Sequence, residues 1–102
     1  MAAEDSLRFH PEVVSDLREA IGWYSEISQD LANDFRQVID ASLGRLVANP
    51  ELYPHAFDDV RFVRVRTFPY LVLYKNMNEV PFVLGIFHGA SDPSKWRQRA
   101  SS

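Results

Sequence analysis

Two apolar stripes of helical period, joined back to back at a single serine, constrain this chain more than anything else in it. The first runs through Val13, Leu17, Ala20, Ile21, Tyr24 and Ile27, the second through Leu31, Phe35, Val38, Ile39, Ser42 and Leu46. Spacings of three and four put each set on one face of an α-helix. Pro11 suits the first turn of the earlier helix. Ser28 has an N-cap side chain, Asp30 follows in the acid-favouring first turn, and Asn49-Pro50 stops the second helix. Two helices with almost no connector predict an antiparallel αα-hairpin. Its one-sided apolar faces need a second layer to cover them.

The rest of the chain reads as that layer. Leu7-Arg8-Phe9 is a short first strand, and Glu51 to Asp59 is a loop rich in turn residues. Phe62-Val63-Arg64-Val65-Arg66 alternates, which sets Phe62, Arg64 and Arg66 on one face and Val63 and Val65 on the other. Tyr70 to Tyr74 forms the next strand, entered through Phe68-Pro69. A turn at Asn76-Met77-Asn78 leads to the almost wholly apolar strand Phe82 to Phe87. Gly89 to Ser94 turns again, and Lys95 to Ala100 can close the chain as a short helix. The predicted architecture is α+β in the order β-α-α-β-β-β, one domain over residues 1–102, with the hairpin on one sheet face.

Charge divides along the same line. The net charge is −3, but residues 1–60 carry about −8 and residues 61–102 about +5. An acidic chain is a poor non-specific ligand of nucleic acid, because that binding is driven by phosphate neutralisation. With no cysteine, disulfide and thiolate chemistry are excluded. The N-terminus lacks the basic and apolar regions of a signal peptide, and no apolar run is long enough to span a bilayer. The expectation is a cytosolic protein.

Candidate functional residues follow from the basic half. Arg64 and Arg66, two apart on one strand face, would sit about 7 Å from each other, near the spacing of successive phosphates or carboxylates. They could bind a phosphodiester, stabilise charge developing on it, dock an acidic protein segment, or simply face solvent. His88 ends the apolar strand and is either a general acid or base or a cap on strand-end backbone groups. Arg61, Lys95, Trp96, Arg97 and Arg99 make a second set suited to contact with a partner, Trp96 alternatively pinning the C-terminus to the core. His10, His55 and His88 have no metal-ligand spacing, and no cofactor box is present.

Three segments together resemble the RelE/ParE toxin superfamily of type II toxin–antitoxin modules. They are Leu46-Val47-Ala48-Asn49-Pro50-Glu51-Leu52-Tyr53-Pro54, the run from Val63 to Tyr74, and Phe87-His88-Gly89-Ala90-Ser91-Asp92-Pro93-Ser94-Lys95-Trp96. The resemblance implies two helices on a small, curved, mainly antiparallel sheet, and a cognate antitoxin as partner. It implies one of two activities: metal-free cleavage of mRNA on the ribosome, as in RelE-like members, or poisoning of DNA gyrase, as in ParE-like members. Arg66 matches the family's strand arginine four residues before Tyr70, Arg64 a second basic position, and His88 a ParE-like strand-end histidine. RelE-like members place a basic residue after that tyrosine, an arginine after His-Gly and a late tyrosine. Here those places hold Leu71, Ala90-Ser91 and no tyrosine, Trp96 being the only late aromatic. The balance favours the ParE-like activity. The interferase activity stays open, as does a non-toxic module that only binds antitoxin.

Overall fold

A computed structural model describes residues 7–102; the segment Met1–Ser6, read above for a leader, lies outside them. The chain runs β1 (Arg8–Phe9), α1 (Val13–Ile27), α2 (Gln29–Ala48), β2 (His55–Phe57), β3 (Val60–Arg64), β4 (Tyr70–Met77), β5 (Val80–His88) and α3 (Pro93–Ser101). The strands form one mixed sheet in the order β1-β5-β4-β3-β2. Among the described residues only the β1–β5 pair is parallel, and it is confined to Arg8 and Phe9 against Phe82 and Val83.

The hairpin forms for the reasons its sequence states. Ser28 is extended and its Oγ accepts from the Leu31 N–H at 3.0 Å, so one residue ends α1 and caps α2. The stripes are buried through Val13, Ala20, Tyr24, Phe35, Ile39 and Leu46, while Ile27, beside the Ser28 junction at the closed end of the hairpin, is 63% exposed. Ser42 survives in the core because its Oγ donates to the Val38 carbonyl at 2.8 Å.

Three expectations are corrected. Residues His55 to Phe57, read as loop, form an edge strand against β3. The alternating strand spans Val60 to Arg64, so Arg66 lies in the following turn rather than beside Arg64 on the ladder. Thr67 forces this, because its φ of 64° turns the backbone left-handed. The hairpin's turn also falls later than expected, at Asn78 and Glu79, whose positive φ values of 52° and 67° suit a two-residue connection between paired Met77 and Val80.

Both sheet faces are apolar. One cluster joins the hairpin to Val63, Val65, Val72, Tyr74, Val83 and Ile86. The other gathers Val60, Leu71, Leu73 and Leu84, and Trp96 and Ala100 of α3 pack against it. A bulge makes this possible: Leu73 pairs with Gly85 and Tyr74 with Val83, so Leu84 is the extra residue and the parity of β5 reverses there.

Candidate functional site

The C-terminal half of β5 carries the site, because β1 stops short of it. The Ile86 N–H has no strand to donate to and instead meets Asp16 Oδ2 at 3.0 Å. Arg99 arrives from α3 and donates to both Asp16 oxygens, at 2.8 and 3.0 Å, and to the Leu84 carbonyl at 3.0 Å. The ion pair thus substitutes for a neighbouring strand, supplying an acceptor for one edge group and a donor for another. Bonding to Asp16 holds the Arg99 guanidinium above its usual range despite burial. The guanidinium also lies 4.9 Å from the Phe87 ring centre and passes over Gly85, where a Cβ would come within 2.7 Å of it.

Beyond this plug two grooves flank the sheet end. One of about 430 Å³ runs between α1 and α3 along the β5 edge, with Glu19, Trp23, Tyr70, His88, Ser91 and Lys95 on its walls. The other, about 320 Å³, lies on the β3–β4 side and includes Arg64, Phe68, Tyr70, Leu71, His88 and Ala90. Tyr70 and His88 form the wall between them, as a paired residue couple on adjacent strands with rings 5.3 Å apart, edge to face. Burial, then Tyr24 and the Glu19 carboxylate, push the Tyr70 hydroxyl above its ordinary pKa. His88 Nδ1 accepts from the Ala90 N–H at 3.0 Å, which leaves Nε2 as the nitrogen free to face a groove. The strand-end capping role considered for His88 is therefore realised.

The candidate residues divide sharply by what already holds them. Arg61 donates to the Glu51 and Tyr53 carbonyls and to the Glu51 carboxylate. Arg99 is committed to Asp16, and Arg97 lies 4.6 Å over the Phe57 ring. Trp96 packs near Phe87 and its Nε1 donates to Ser91 Oγ. Arg64 sits against Phe62, and its own carbonyl is held by Arg45. Among the described residues, no side-chain bond engages the Arg66 guanidinium or the Lys95 ammonium. Arg64 and His88 share a groove; Arg66 stands outside it on the turn. Asp16 was missed by sequence reasoning, and as one acid among many on a helix it gave no signal of its partner 83 positions away.

This arrangement, an αα-hairpin on a mixed sheet closed by a short C-terminal helix, defines the RelE/ParE class of small toxin folds. A chain of the chromosomal ParDE system from P. aeruginosa superposes with a TM-score of 0.73 at 18% identity, covering 81% of this chain and 94% of that one. A mutant of E. coli toxin RelE in the free state gives a TM-score of 0.65 at 17% identity, over 93% and 92%. Toxin ParE2 of Mycobacterium tuberculosis is 29% identical over 89 residues, or 86% of this chain and 85% of its own length. The family model of the ParE toxin of type II toxin-antitoxin systems, parDE, matches residues 7–93. The chain belongs to that ParE toxin family. Among the described residues, no helix is long and apolar enough to cross a membrane.

Proposed function

We propose that this protein is the toxin of a type II toxin–antitoxin pair, that it arrests DNA gyrase, and that a cognate antitoxin neutralises it. The observation that carries the choice of target is the internal commitment of its arginines. A metal-free ribonuclease needs several free cations and an acid–base pair around a phosphate. Here Arg45, Arg61 and Arg99 are spent on carbonyls and carboxylates of the fold, and of Arg64, Arg66 and Lys95, whose side chains make no hydrogen bond among the described residues, only Arg64 lines the β3–β4 groove with His88. His88 has one ring nitrogen occupied by backbone. The position after Tyr70 is the buried Leu71, 7% exposed. An inhibitor that works by binding needs no such kit.

Antitoxin binding is supported by the hairpin's outer surface. Val14, Trp23 and Ile27 of α1 are each more than half exposed, an apolar surface left for a partner to cover. A partner tail that folds along this surface would couple its ordering to binding. The test is expression in bacteria. The chain alone should halt growth with loss of supercoiling and an SOS response, and co-expression of the neighbouring antitoxin should restore growth. Codon-positioned mRNA cuts with prompt translation arrest would transfer the activity to the ribosome.

A further inference from the structure

Thr67 is the one β-branched residue among the described residues held at positive φ. A branched side chain there is a steric outlier, tolerated only where the surroundings over-determine the turn. They do so here. Phe68 is driven into the aromatic cluster, 4.9 Å from Tyr24 and 5.1 Å from Phe35. The Val65 N–H donates to the Tyr70 carbonyl, the Tyr70 N–H to the Phe68 carbonyl, and the Gly89 N–H to the Pro69 carbonyl. Thr67 Oγ1 closes on the Arg66 carbonyl at 2.6 Å. A turn fastened at this many points fixes the backbone from which Arg66 projects.

The groove beside the turn matches that projecting cation. Its walls combine apolar Val65, Phe68 and Leu71 with Arg64 and His88, and among the described residues no acidic side chain lines it. The acids lie on the other side: Asp34 lines the groove between Thr67 and α2. We propose that the β3–β4 turn and this groove form a docking surface for an acidic, apolar-containing segment of the protein that the toxin arrests, with Thr67 acting as a positioning residue that fixes the turn carrying Arg66 beside the groove. An apolar floor and a net charge of −3 favour a protein segment over a phosphate backbone. The proposal rests on the toxin reading for the identity of the partner, and on the turn itself for its chemistry.

Fluorescence anisotropy with a short synthetic peptide alternating glutamate and leucine tests it, with single-stranded DNA of equal length as the second probe. The peptide should bind in a salt-sensitive manner, and Arg66→Ala should weaken it by about tenfold or more, the loss of one charged hydrogen bond. Thr67→Gly should raise the melting temperature and yet weaken binding, because it relieves the backbone while freeing the turn. Thr67→Asn, which tolerates the left-handed region, should keep binding near wild type. Failure of the peptide to bind, DNA binding as tight as the peptide's, or indifference to Arg66→Ala would each overturn the proposal. Growth arrest separates the two levels. If the wild-type chain and the Arg66 and Thr67 variants arrest growth equally, the docking surface is wrong and the toxin reading stands. A wild-type chain that leaves growth unimpaired overturns the toxin reading itself.

Discussion

Removing the Arg99 side chain is the sharpest perturbation of this fold. Asp16 and Arg99 have side chains only 12% and 15% exposed, so each is largely withdrawn from water. In Arg99→Ala the Asp16 carboxylate keeps one partner, the Ile86 N–H, and the Leu84 carbonyl loses its donor. Breaking a buried pair from one side costs about 3–5 kcal/mol, and water reaching this rim lowers that to roughly 2–4 kcal/mol. For a domain of this length each kcal/mol moves the melting temperature by about 4–8 °C, so a drop of roughly 8–32 °C is expected. Urea titration followed by tryptophan fluorescence measures the free-energy loss directly. The paired apolar replacement Asp16→Leu with Arg99→Met distinguishes an edge cap from an ordinary ion pair. An ordinary pair so replaced is often neutral. Here the edge groups of Leu84 and Ile86 would still lack partners, so about 1–3 kcal/mol should remain lost. A single variant within about 0.5 kcal/mol of wild type, as for a surface residue, would refute the reasoning. So would a double variant as stable as wild type.

Three further outcomes follow from the same geometry. Gly85→Ala should destabilise by about 1–3 kcal/mol in urea titration, because the new methyl meets the Phe87 ring and the pinned Arg99 guanidinium. Burial pushes the Tyr74 hydroxyl, which donates to the Pro50 carbonyl at 2.7 Å, from 10.0 up to about 12. Because the folded-state value is the higher one, its stabilisation is complete below pH 10 and is lost as pH rises toward about 12. Tyr74→Phe should therefore flatten the alkaline limb of a stability–pH curve, at a cost of about 1 kcal/mol at neutral pH. Ser28→Ala should cost about 1 kcal/mol and lower helicity by circular dichroism, since one cap serves the junction of both helices.

The helical hairpin was legible because its information is local: two stripes, a capping serine and a stop at Asn49-Pro50 all act within a few residues of where they stand. Paired strands with alternating or continuous apolar runs were legible for the same reason. His55–Phe57 was not, since three residues of mixed character become a strand only through pairing with β3. The end of β3 at Arg64 was hidden too, because nothing in Val65-Arg66-Thr67 announces a threonine in the left-handed region. The site was less legible than the fold. Charge counting marked Arg61 and Arg99 as free cations, yet both are consumed by partners that only the tertiary structure brings near. The bulge at Leu84 and the apolar second sheet face under α3 arise from the same long-range register.

The central claim is that this ParE-family chain inhibits by binding rather than by cutting RNA. The most direct measurement incubates the purified chain with DNA gyrase in a supercoiling reaction and, in parallel, with translating ribosomes whose mRNA ends are mapped. The account predicts loss of supercoiling with stabilised gyrase–DNA cleavage complexes and intact message. Codon-positioned mRNA cleavage alongside fully active gyrase would contradict it.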